Sequence, residues 1–126
     1  MRLLVSLMIV LASIVGLSFW INDSLQSSTE HLTQQIDMVI VEIQDGRWER
    51  AVRQTADIEK YWTKSARWWP VFLDHQEMDN IEFSLSKVKA YVSSHNDALA
   101  LGQLEELRLM LKHIPEKEAL NIKNIL

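Results

Sequence analysis

Leu3–Ile21 reads LLVSLMIVLASIVGLSFWI, nineteen consecutive residues without a charge. As a helix at about 1.5 Å per residue the stretch spans roughly 28 Å, close to the hydrocarbon thickness of a bilayer. Its weakly polar members, Ser6, Ser13, Gly16 and Ser18, can satisfy or hide their groups inside a helix. Trp20 stands near the far end, where an indole prefers the headgroup region. A core helix is the bland alternative, but a chain of 126 residues has no interior able to surround such a segment. Residues 1–21 are therefore expected to be a transmembrane anchor, in contact with the bilayer through residues 3–21. A cleaved signal peptide, with Gly16 and Ser18 before the cut, is the rival reading; Phe19, Trp20 and Ile21 extend the apolar run and speak against it.

Orientation follows from the flanking charges. Arg2 and the terminal amine precede the stretch, and no Lys or Arg occurs from Asn22 to Gly46, where Asp23, Glu30, Asp37, Glu42 and Asp45 stand. Cations near a span mark its cytoplasmic side. The N-terminus is thus expected in the cytoplasm, and residues 22–126 as an extracytoplasmic helical domain.

That remainder carries twelve basic and seventeen acidic side chains, and the whole chain has a net charge of -4. An acidic chain lacks the basic face that displaces counterions, so nucleic acid is not an expected partner. There is no cysteine, which excludes a disulfide scaffold, a thiol nucleophile and a cysteine-ligated zinc site. No Gly-rich phosphate loop, no glycine-elbow serine and no H-E-x-x-H spacing occurs. Neither enzymatic activity nor a cofactor is expected.

Apolar residues recur at threes and fours, which favours helix over strand. The first run uses Leu25, Leu32, Ile36, Val39 and Ile43 and continues the anchor as a stalk until Asp45-Gly46 ends it. The second carries Trp48, Ala51, Val52, Thr55, Ile58, Trp62 and Trp69, with Pro70 as kink or as the start of a new helix. The third uses Phe72, Leu73, Ile81, Leu85, Val88, Tyr91 and Val92, with Asp74 and Glu77 suiting its positive end. Asn96-Asp97 caps the fourth, with Leu99, Leu101, Leu104, Leu107, Leu111 and Ile114; Gly102 inside it suggests close approach of a neighbouring helix. After Pro115 an apolar tail, with Leu120, Ile122, Ile125 and Leu126, is expected to dock on the bundle or on something else. Short turns make successive helices antiparallel, so the expected fold is all-α: a transmembrane helix continuing into about four helices, as a four-helix bundle or two stacked hairpins.

Three groups are candidate sites. His75, Asp79 and Glu82 recur at four and three on one helical face and could ligate a divalent ion, although a histidine bonded to Asp79 explains them equally. Trp68, Trp69 and Phe72, with Val71 and Leu73, crowd around Pro70; whatever a small bundle fails to cover would contact a partner protein or membrane. Residues 47–67 hold six cations against Glu49, Asp57 and Glu59, whereas 74–82 hold four acids and no cation. The two segments are expected to face each other, or the basic one to bind anionic lipid or wall polymer. His113 is expected in a last helical turn, at the negative end of its dipole.

Gly46-x-Trp48-x-x-Ala51, Tyr61-Trp62-x-Lys64, Trp69 with Phe72-Leu-Asp-His75-x-Glu77-x-Asp79-x-Ile-Glu82, His113-Ile-Pro-Glu116 and Asn124-Ile125 resemble a bacterial family known as domain of unknown function 4363. The resemblance implies an anchored, single-pass helical protein, found mainly in Gram-positive bacteria, with a membrane or envelope protein as partner. It implies no catalytic residue. The overall expectation is a non-enzymatic, membrane-anchored accessory module, with a metal-dependent enzyme or sensor at His75 or an anionic-polymer binder as alternatives.

Overall fold

A computed structural model describes residues 1–71 and 73–125, with side chains as far as Glu116. Phe72, expected as a contact residue, Leu126 and the side chains of the apolar tail beyond Glu116, expected to dock, lie outside the described residues. Four α-helices follow one another, α1 (Arg2–Gln44), α2 (Trp48–Ser65), α3 (His75–Ser93) and α4 (Asp97–Ile125), with a 3₁₀ turn at Trp69–Val71 and no strand among the described residues. α1 packs on α2 and α4, and α3 packs on the same two, which is the cyclic arrangement of an up-down-up-down bundle.

α1 joins two unlike halves. Its buried residues are Leu25, Ser28, Thr29, Leu32, Ile36, Val39 and Ile43, the stripe expected of the stalk with two small hydroxyl residues added. The apolar half is long and apolar enough to cross a membrane, and 0% of it is buried among the described residues. Its serines are satisfied within the helix, each hydroxyl donating to the carbonyl four residues back: Ser6 to Arg2 at 2.9 Å, Ser13 to Ile9 at 2.8 Å, Ser18 to Ile14 at 2.9 Å.

Both tight turns are Schellman closures. At the end of α1 the Gly46 N–H donates to Ile43 O (3.1 Å) and the Arg47 N–H to Glu42 O (2.8 Å), with Gly46 at φ +75°. At the end of α3 the His95 N–H donates to Val92 O (3.1 Å) and the Asn96 N–H to Tyr91 O (3.0 Å), with His95 at φ 54°. Side chains cap the starts of α3 and α4. Asp74 accepts from the Glu77 N–H at 2.8 Å to start α3, and Asn96 accepts from the Leu99 N–H at 3.1 Å to start α4.

Five expectations are corrected. α2 stops at Ser65, so Trp69 is not on it; residues 66–68 form a turn, and Trp69 opens a separate 3₁₀ segment that contains Pro70. α4 runs through Pro115 to Ile125, which leaves His113 inside the helix rather than in its last turn. Ala100, not Leu99, occupies the core at the start of α4, and Val52 is exposed on α2. Gly102 has nothing within 4 Å of the position a Cβ would take, so no neighbouring helix requires it.

The two glycines should therefore respond oppositely to the same change. Gly102→Ala is expected to raise stability by up to about 1 kcal/mol through helix propensity. Gly46→Ala is expected to lower it by roughly 1–2 kcal/mol, the cost of forcing an L-residue into the left-handed region. Thermal unfolding of the two variants, followed by circular dichroism, checks both signs.

Candidate functional site

The end of the bundle nearest the apolar half of α1 is built around tryptophan. Trp62 on the last turn of α2 and Trp69 in the 3₁₀ turn meet edge to face, with ring centroids 5.1 Å apart at 88°. Trp68 approaches Trp69 at 6.0 Å and 78°. Such pairs contribute about 0.5–1.5 kcal/mol beyond area burial. Trp69 is 0% exposed, so the sequence expectation that it forms part of an exposed contact patch is corrected: it is a core residue. Its indole N–H, like that of Trp62, has no acceptor among the described residues. Trp68 is half-buried at the edge of the core, and Val71 is 78% exposed.

His75, Asp79 and Glu82 share a face of α3 as their spacing requires, but all three are exposed. Glu82 lines a shallow groove with Glu59 and Lys89 on the side toward α2. Among the described residues no three His, Asp or Glu side chains stand close enough to hold an ion. His75→Ala is accordingly expected to change stability by no more than about 0.5 kcal/mol, as for other exposed surface positions. Added zinc should leave the melting temperature of the original chain unmoved, whereas ligand-linked stabilisation would raise it.

The charged segments do not meet as expected. The inter-helix ion pair between α2 and α3 joins Glu59 to Lys89 at 2.9 Å, the acid on α2 and the base on α3. Across the bundle Arg108 on α4 lies 2.9 Å from Asp37 on α1. Arg50, Arg53, Lys60, Lys64 and Arg67 stay exposed, and none forms an ion pair with a described residue. Their spacing of three, seven, four and three keeps them in line along α2 and the turn after it, with Asp57 in the gap.

A model of the family described as "Domain of unknown function (DUF4363)" matches residues 19–125. The chain belongs to this family. No curated protein and no solved structure matches it. The DUF4363 match begins at Phe19, so it covers the bundle and the α1 stalk and leaves out most of the apolar stretch. The positions that carry the resemblance are largely structural. Gly46 forms the left-handed closure, Ala51 and Trp62 are buried, Trp69 fills the core and Asp74 starts α3.

Two features of this DUF4363 chain had no clear sequence signal. Trp48 stacks on His95, with centroids 4.9 Å apart and planes at 10°, tying the α1–α2 turn to the α3–α4 turn. His31 meets Tyr61 at 4.3 Å, fixing the register of α1 against α2. At the α1–α2 turn the Arg47 guanidinium donates to the Glu42 carboxylate and, at 2.9 Å, to Asp45. The Arg47 hydrogen bond holds the Glu42 carboxyl below the ordinary carboxylate range, and Glu42 in turn pushes Arg47 up. A depressed folded-state pKa stabilises above the unfolded value, and that contribution is lost as pH falls through the folded one. Glu42→Gln should therefore flatten the fall in melting temperature at acidic pH; an acid melting series on both chains measures it.

Proposed function

We propose that this chain is a non-enzymatic accessory module: a single-pass anchor at residues 1–21 and a helical domain at 22–126 outside the cytoplasm, associated with another membrane or envelope protein. The observation that supports it is the division of α1. One continuous helix is buried along a stripe from Leu25 to Ile43, yet none of the described residues covers its apolar beginning. A soluble protein rarely exposes so large an apolar surface. The position of Arg2, set against the acid-rich residues 22–46, supports a cytoplasmic start.

Alkaline phosphatase fused after Leu126 tests the placement. Periplasmic-type activity, in a chain that resists carbonate extraction, is the expected result. Activity confined to a cytosolic reporter at the same junction would overturn the reading. A second reading, binding of anionic lipid or wall polymer, is favoured by the line of exposed cations along α2. It predicts salt-sensitive sedimentation with phosphatidylglycerol vesicles, reduced when Arg53 and Lys60 are replaced by glutamine.

A further inference from the structure

The connection between α2 and α3 turns at one end of the bundle, and the His31–Tyr61 contact shows which end. Below that contact, α2 descends only from Tyr61 to Ser65 before the chain turns, a drop of about 6 Å. Residues 66–71 extend it by up to about 12 Å more if they follow 3₁₀ geometry along the same axis. Over the same interval α1 passes from His31 to Trp20, roughly 16 Å. At that extension the turn carrying Trp68 and Val71 reaches the level of about residues 19–23 of α1, where the bundle gives way to the bare apolar helix. Trp20 is 65% exposed there and Val71 is 78% exposed. Lys64 and Arg67 stand on the neighbouring surface, both exposed.

We propose that this turn is a second membrane contact: Val71 and the outer edge of Trp68 enter the interface of the bilayer that holds α1, level with Trp20, while Lys64 and Arg67 reach lipid phosphates. The proposal rests on the anchored reading above. It adds that the bundle stands on the lipid surface at two points instead of being suspended from one helix. An apolar residue beside an indole, flanked by long cationic side chains, is the composition that interfacial segments use. Val71 has no other cover from the described residues, and its place next to the anchor supplies the occupant.

The chain contains no cysteine, so single cysteines can be labelled without background. Spin labels at Val71→Cys, Leu11→Cys and Glu49→Cys, in the full chain reconstituted into vesicles of phosphatidylglycerol and phosphatidylethanolamine, report depth by comparing collisions with oxygen and with a water-soluble nickel chelate. The expected result is a label at 71 severalfold less accessible to nickel than the one at 49, with an oxygen accessibility between those of the labels at 49 and at 11, as an interfacial depth requires. A label at 71 as open to nickel as that at 49, with 11 buried in lipid, overturns the proposal and leaves the anchor standing. A label at 71 shielded from both reagents also overturns it, because protein then covers the turn. If the label at 11 is itself in water, the anchored reading fails and this inference falls with it.

Discussion

Trp69→Ala is expected to destabilise the bundle by about 3–5 kcal/mol, the usual cost of deleting a fully buried large aromatic side chain. A domain of this size holds only about 5–15 kcal/mol in all, so the variant should melt roughly 15 °C or more below the original chain. The cost is high because Trp69 lies outside the α-helices and fills the core at the 3₁₀ turn, where its packing against Trp62 and Trp68 adds to the backbone bonds from the Val71 N–H to Trp68 O and the Leu73 N–H to Trp69 O. Trp69→Phe separates packing from polarity. It retains an aromatic ring and removes an N–H that has no acceptor among the described residues, so its loss should be nearer to about 1 kcal/mol. Melting of the full chain in detergent, followed at 222 nm, measures both. A Trp69→Ala chain that melted like the original would show that the turn does not brace the bundle.

The second large effect concerns the apolar half of α1. Val10→Asp combined with Ile14→Asp is expected to abolish retention in the membrane. Each aspartate near the centre of a span costs about 2.5–3.5 kcal/mol on the insertion scale, and two together exceed what the remaining apolar residues return. The bundle should melt at an unchanged temperature, since both residues are exposed and the apolar window they belong to is not buried by any described residue. Carbonate extraction and a thermal melt on the same preparation give the two readouts. If the double variant stayed in the membrane fraction, or if it unfolded the bundle, the stretch would be packing against protein and not lipid.

The contrast between Pro70 and Pro115 shows what could be read from the sequence and what could not. Each proline removes one helical hydrogen bond and crowds the residue before it. After Pro70 come Val71, Phe72, Leu73 and then Asp74, which caps a new helix, so the chain breaks. After Pro115 come Glu-Lys-Glu-Ala-Leu, all helix formers, and the preceding Ile114 is anchored in the core, so the helix continues. Residue spacing captured the stripe on α1 because a single face was buried along its whole bundle half. It failed for the tryptophans, because the seven-residue interval expected of one helix face is here produced by a turn that folds Trp69 back onto Trp62. The sorting of charge was visible but its pairing was not: which helices face each other sets the partner of Lys89, and nothing local to it encodes that. Function left no comparable local signal: among the described residues no three His, Asp or Glu side chains gather at one point.

α1 has a mechanical consequence. Between Gly16 and Gly46 it contains neither glycine nor proline, and it is helical without interruption to Gln44. The portion beyond Ile21 is about 35 Å long, so if the proposed anchor leans by the typical ~20°, the far tip of the bundle swings sideways by roughly 12 Å. With no swivel at the lipid boundary, the helix behaves as a lever, and twisting its lower arm turns the upper one through the same angle.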